Sequence, residues 1–249
     1  MNNILLENET LTSVNENINL IQRKNGLTFG TDAFLLASFL KDQRSGVAVE
    51  LGGGTGIISL LSATRGKFKK IYCAEIQPEF ADVIARNVKL NSLEEKIVPL
   101  CADVRELKST RIGFEVDAVF SNPPYMKTDS GRRNEHDEKF IARHEVCGDI
   151  SDFCAAAFRL LKHGGRFYAV WRPDRLCDLF FAMRQNRLEP KIMTPVCATP
   201  KTPPSMVLVS ATKGGASGMT MTAPLVLYRD GTTELSDEAQ KIYDTLSFE

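Results

Sequence analysis

Val47-Ala48-Val49-Glu50-Leu51-Gly52-Gly53-Gly54-Thr55-Gly56 leads at once into the apolar run Ile57 to Ala63. The first five residues read as a buried parallel strand, the glycines as a turn, and the run after them as a helix. Glycines there let the backbone approach a ligand closely, and the start of the helix offers free N–H groups. A strand, a glycine turn and a helix start make a nucleotide-type site.

Working outward, the same alternation continues. Strands are predicted at Lys70 to Glu75, Ile97 to Cys101, Val116 to Ser121 and Arg166 to Trp171, with helices at Pro78 to Leu90 and Ser151 to Leu161. Parallel strands joined through helices follow from right-handed crossovers. A helix near Asp174 to Asn186 and two last strands, Lys191 to Val196 and Met206 to Ala211, complete the pattern. Residues 1 to 30 are polar and Asn-rich, and Thr31 or Asp32 is expected to cap a helix running to Leu40.

Two ligand classes suit the glycine turn. A dinucleotide fingerprint wants G-x-G-x-x-G, but Gly52-x-Gly54 is followed three residues on by Ile57, and Gly54-x-Gly56 by Ser59. The pattern present is Glu50-x-Gly52-x-Gly54-x-Gly56, with an acid at the strand end where a cationic ligand can be met. S-adenosylmethionine carries an ammonium and a sulfonium. Glu75 ends the next strand, where a carboxylate can accept both ribose hydroxyls. Asp103 follows the third strand and is placed to accept from an adenine amino group. Ile76 and Val104, their neighbours, belong to the same predicted site. Carboxylates at the ends of successive strands lie where open α/β sheets bind ligands.

Asn122-Pro123-Pro124-Tyr125 follows the apolar run Val116 to Phe120 and Ser121. Asn and Pro are ordinary turn residues, so this stretch alone is satisfied by a stiff turn. Beside the glycine motif it gains a second meaning. The prolines stiffen the turn, and the Asn122 side-chain oxygen with the Pro123 carbonyl can accept both protons of one planar NH2 group. The Tyr125 ring offers a stacking face.

These motifs, in this order, resemble those of class I S-adenosylmethionine-dependent amino-group methyltransferases. Further stretches narrow the likeness: Ile21-Gln22 with Phe29 to Ala37, Ala142-Arg143-His144-Glu145, Gly164 to Tyr168, Arg172 to Leu176, Val207 to Gly215 and Ala223 to Tyr228. They resemble the valine tRNA adenine-N(6) methyltransferases, which modify the adenine 3′ of the anticodon, adenine 37. The resemblance covers nearly the whole chain. It implies a Rossmann-like α/β fold, a seven-stranded mostly parallel sheet with helices on both faces and the last strand inserted antiparallel. It also implies an N-terminal helical extension. On this reading residues 1–249 are a single domain, 1–45 an extension over the cofactor site and 46–249 the catalytic core. Thr31, Asp32 and Asn122 then join the residues expected to hold the cofactor.

Composition agrees. With 249 residues, 43% hydrophobic and 25% charged, the chain can bury a full core. No apolar run approaches the roughly 20 residues a membrane helix needs, and the start Met1-Asn2-Asn3 lacks a signal-peptide pattern. A cytoplasmic protein is expected. Six scattered cysteines without a C-x-x-C pair read as buried free thiols, and no metal site is expected. Thirty-one basic and 31 acidic residues balance, which argues against a strongly basic nucleic-acid binder. A tRNA enzyme can still gather its basic residues on one face. Residues 126 to 147, the least regular long segment, carry Arg132, Arg133, Arg143 and His144, expected with Tyr125 and Arg172 to meet substrate.

The chemistry expected is direct transfer of the sulfonium methyl to the N6 amino group of a flipped adenine in tRNA, with Asn122, Pro123 and Tyr125 as the catalytic residues. Methylation of a protein glutamine suits the same grip, but the separate N-terminal helical domain expected there is missing. A nicotinamide oxidoreductase lacks a complete fingerprint. A non-catalytic RNA-binding module leaves the motif residues without a role. The oligomeric state is not legible here.

Overall fold

The structure, a computed structural model, describes residues 5–24, 30–123 and 148–248. The quoted stretch forms strand β3 (Gln43–Leu51) and helix α2 (Ile57–Thr64), separated by the glycine turn. Before it stand the strands β1 (Glu9–Asn15) and β2 (Ile18–Arg23) and the helix α1 (Thr31–Phe39). After it come β4 (Phe68–Glu75), α3 (Pro78–Leu90), β5 (Ile97–Cys101), α4 (Ser109–Ile112) and β6 (Val116–Ser121). Next are α5 (Ile150–Leu160), β7 (Leu161–Trp171), α6 (Leu176–Gln185), β8 (Leu188–Cys197) and β9 (Pro204–Lys213). Two-residue strands β10 (Thr220–Met221) and β11 (Leu225–Val226) and helix α7 (Asp237–Thr245) follow.

The main sheet runs β8-β9-β7-β6-β3-β4-β5, with β10 and β11 both pairing on β8. These seven long strands are the ones the sequence predicts; the two short strands extend the sheet to nine. Pairing is parallel from β5 to β7, and β9 is antiparallel to both β7 and β8. It is therefore the inserted strand. The chain moves from β3 outward through β4 to β5, then returns to lay β6 on the other side of β3. That reversal opens a crevice at the carboxyl ends of β3 and β6, where ligands bind in such sheets. Ser121 Oγ donates to the Leu51 carbonyl at 2.8 Å and ties those two strand ends together.

Alternation along each strand sends side chains to two apolar layers. Ala48, Ile71, Ala118, Phe120 and Tyr168 pack with α1, α2, α3 and α7. Val49, Leu51, Val119, Phe167 and Ala169 pack with α4, α5 and α6. Burying each of the larger of these side chains contributes roughly 1.5–3 kcal/mol. α3 keeps to its predicted bounds, because Pro78 starts it with Glu79 in the first turn, and Ala81, Ile84 and Val88 make one buried face.

The structure corrects the reading of the N-terminal region. It is not helical throughout, since β1 and β2 form an antiparallel hairpin. The hairpin docks on α3. Asn87 Oδ1 accepts from Ile21 N at 2.7 Å while its Nδ2 donates to the carbonyls of Ile21 and Thr55 at 3.1 and 2.9 Å. Arg86 makes two short bonds to Glu9, 2.7 and 2.6 Å. These partners are far apart in sequence, so the local pattern could not reveal them. The residue that caps α1 is Gly30, whose carbonyl accepts from Ala33 N at 3.2 Å, while Asp32, one of the two expected caps, lies inside the first turn and accepts from the same N–H through its side chain at 2.9 Å. Two of the cysteines expected to be buried, Cys101 and Cys177, are exposed. No helix among the described residues is long and apolar enough to cross a membrane.

Candidate active site

The glycine turn is clamped to the end of β4. Gly52 N and Gly53 N both donate to the Ala74 carbonyl, at 2.9 and 3.0 Å, and Gly54 N donates to Glu75 Oε2 at 2.9 Å. Gln77 N takes the other oxygen of Glu75 at 3.0 Å. Gly52, Gly54 and Gly56 have φ of 71°, 56° and 80°, conformations that other residues adopt only at a cost. A Cβ on Gly54 would meet nothing within 4 Å, so the turn presents bare backbone there. Gly53, absent from the predicted site, is needed for a different reason: its Cβ would fall 2.4 Å from Cys73 Sγ. A glycine run in the sequence cannot separate these roles.

Glu50 is 1% exposed. The pleat that puts Val49 and Leu51 on one face puts Glu50 on the other, beneath α2. There its Oε2 accepts from Ser59 N at 3.0 Å, from Ser59 Oγ and from Cys73 Sγ at 3.3 Å. It caps the first turn of α2 from a distance, satisfying an N–H that the helix itself leaves unpaired. Burial pushes its carboxyl up to about 7, opposed by those hydrogen bonds, and the nearby Glu75 charge adds to the rise. The Cys73 thiol is raised well above its ordinary value by burial first and by Glu50 second.

At the end of β5, Asp103 is bound by its own near neighbour. Arg105 reaches back with Nε at 3.0 and 2.9 Å from the two carboxylate oxygens and Nη2 at 2.6 Å, and Arg105 N adds 2.8 Å. That guanidinium holds the Asp103 carboxyl below the usual range. Val104 is buried in the α4–α6 layer, and its carbonyl accepts from Arg159 Nη2 at 2.8 Å. Ile76 is half-buried beside Glu75.

Asn122 leaves β6 beside the glycine turn, with Pro123 buried after it. Its Nδ2 donates to Asp32 Oδ2 at 2.8 Å, across 90 residues of sequence. Asp32 also lines a cleft with Thr31, Trp171, Arg172, Ser205 and Met206. Arg172 forks onto Asp174 at 2.9 and 2.7 Å, and Trp171 Nε1 donates to the Arg175 carbonyl at 2.8 Å. The cleft therefore gathers the start of α1, the end of β7 and the start of β9, and Asp32 joins it to Asn122 just after β6. Trp171, Ser205 and Met206 were not among the predicted site residues, because nothing in their local sequence marks them. Pro124, Tyr125, Arg132, Arg133, Arg143 and His144 lie outside the described residues. Among the described residues no group of three or more His, Cys, Asp or Glu side chains converges as metal ligands.

The strand ends thus bring together the glycine turn, Glu75, Asp103, Asn122 and Asp32, while Glu50 works from below. Residues 37–165 match the family model described as the TRM5/TYW2 methyltransferase domain. The chain is 28% identical over 185 residues to the tRNA1(Val) (adenine(37)-N6)-methyltransferase of Porphyromonas gingivalis, with 72% of each chain covered. To the protein of the same name in Bacteroides fragilis it is 26% identical over 189 residues, 76% of this chain and 78% of that one. Among solved structures, a predicted O-methyltransferase of Agrobacterium tumefaciens aligns with a TM-score of 0.69 at 22% identity, covering 87% of this chain and 97% of that one. M. jannaschii TYW2, solved in complex with AdoMet, aligns at 0.55 and 17% identity, covering 84% and 86%. The two structural likenesses carry the fold.

Proposed function

We propose that this chain, which belongs to the TRM5/TYW2 methyltransferase domain family, methylates the exocyclic N6 of an adenine in tRNA, at position 37 of tRNA1(Val). The relatives of that name support the substrate. The single observation that carries the chemistry is Asn122 at the crevice between β3 and β6, its amide nitrogen held by Asp32 and its oxygen turned away from that carboxylate.

The residues present fit S-adenosylmethionine. The left-handed glycines expose backbone at Gly54, and Glu75 sits at the adjoining strand end to meet ribose hydroxyls. Asp103 stands one strand further, to receive an adenine amino group in exchange with Arg105. When bound, the cofactor supplies a methyl group on cationic sulfur, whose S–C bond breaks as the new N–C bond forms. Glu50 contributes by holding α2 under the glycine turn.

The rest falls to the chain itself. An adenine amino nitrogen is a poor nucleophile because its lone pair is delocalised into the ring. Asn122 Oδ1 and the Pro123 carbonyl accept its two protons and favour the pyramidal geometry that frees the lone pair. The methylated nitrogen is acidic, so its extra proton leaves toward these acceptors and water. Tyr125 stacks on the base and offsets the cost of unstacking it. Arg172, at the cleft, meets the RNA backbone, and Arg132, Arg133, Arg143 and His144 join it on sequence grounds. Residues 1–45 and 46–249 act as one domain, in the cytoplasm where tRNA is found.

The test is incubation of the protein with labelled S-adenosylmethionine and unmodified total tRNA, followed by digestion and mass spectrometry of the nucleosides. Label in N(6)-methyladenosine is the expected result. Cofactor binding without label in RNA would overturn the substrate and bring a protein amide forward.

A further inference from the structure

We propose that Asp32 is a positioning residue that sets the direction of the Asn122 amide, so that α1 completes the catalytic site. The inference rests on the amino-group methylation reading of the same crevice and assigns Asp32 a role toward Asn122 instead of toward the cofactor.

The two ends of a side-chain amide are nearly equal in size and opposite in hydrogen bonding. Turned one way, Asn122 presents an oxygen to an incoming NH2 group. Turned the other way it presents two N–H donors to a group whose own hydrogens point outward, and the grip is lost. The backbone leaves little else to choose. Ser121 Oγ pins the strand end to Leu51, and Pro123 restricts the Asn122 backbone to extended conformations. What remains is the half-turn of the amide, and sterics barely distinguish its two states.

Asp32 distinguishes them. A carboxylate only accepts, so Oδ2 at 2.8 Å takes the Nδ2 end and rejects the oxygen end. Its other oxygen accepts from Ala33 N at 2.9 Å, so the carboxylate is held from both sides. The group sits in the first turn of α1, where the helix dipole favours negative charge. α1 itself is rigidly seated, with Phe34, Leu35 and Leu36 buried and Tyr243 of α7 bonded to Thr31 and stacked on Phe34. A side chain on such an element holds a catalytic partner to a fraction of an ångström, which a loop does not.

Asp32→Asn is the deciding variant, because it keeps the shape and lets position 32 offer either end of an amide. We expect turnover on tRNA to fall 10- to 100-fold, with the dissociation constant for S-adenosylhomocysteine within twofold of wild type by calorimetry. In an Asn122→Ala background the same substitution is expected to change turnover less than twofold. A readout independent of turnover comes from the Asn122 side-chain NH2 resonances, assigned by their loss in Asn122→Ala. They are expected to be shifted downfield and slow to exchange in the wild type, and to move toward free-amide values in Asp32→Asn. Cofactor affinity lowered tenfold or more with turnover retained would make Asp32 a cofactor ligand and overturn the proposal. So would equal losses in both backgrounds, or unchanged Asn122 resonances. If Asn122→Ala itself kept full turnover, the reading of the reaction would fail instead, and the resonances would still decide whether Asp32 directs the amide.

Discussion

Tyr243, near the end of α7, stacks on Phe34 of α1 with ring centroids 4.6 Å apart and planes 18° from parallel. The last helix of the chain therefore braces the first. Its hydroxyl also bonds Thr31, the residue before Asp32, and this bond offsets part of the rise that burial imposes on the phenol. Removing the ring by Tyr243→Ala should destabilise the protein by roughly 1–3 kcal/mol, while Tyr243→Phe should cost about 1 kcal/mol or less. Urea denaturation with an unchanged slope is the measurement. Equal stability of Tyr243→Ala and wild type would mean that the stack does not hold α1 in place.

Gly53 is required by what lies across from it. A methyl group there would overlap Cys73 Sγ at 2.4 Å and crowd Ile84 Cδ1 at 3.1 Å. Gly53→Ala should cost about 1–3 kcal/mol by overpacking, and Cys73→Ala should recover part of the loss in the double variant. Strict additivity of the two changes would count against the contact. Gly54 makes a useful contrast, since its constraint is the positive φ alone.

Glu50 should make stability depend on pH. Its folded-state carboxyl rises from 4.5 to about 7, so between those values the folded protein binds more protons than the unfolded chain. Its contribution is then fully present below pH 4.5 and declines as pH rises through about 7, beyond which the curve flattens. The full span is roughly 3 kcal/mol. Glu50→Gln, which can still accept from Ser59 N, should remove that decline. Denaturation midpoints from pH 5 to 8 with parallel slopes for both proteins would refute it.

Asn122→Ala should lower turnover on tRNA by about 100-fold or more, on the scale seen when one oriented hydrogen-bonding group is removed from a transition state. The dissociation constant for S-adenosylhomocysteine should stay within about twofold. Comparable losses in binding and turnover would place Asn122 among the groups that hold the cofactor.

The sequence by itself determined the order of strands and helices from α1 to β9, the short α4 excepted, because apolar runs, the proline that starts α3 and the glycines after β3 are signals read within a few residues. It also marked Asn122, Glu75 and the glycine turn as neighbours, since strands that leave a parallel sheet at the same edge must bring their ends together. The β1–β2 hairpin escaped notice, because its docking partners Asn87 and Arg86 lie on another element. Only the tertiary structure decided which way Glu50 points, for that depends on which face α2 covers. Only it showed that Gly53 faces Cys73 and that Asp32 grips Asn122 across 90 residues. Such contacts arise when separate elements are packed to a common core, and no window along the chain contains both partners.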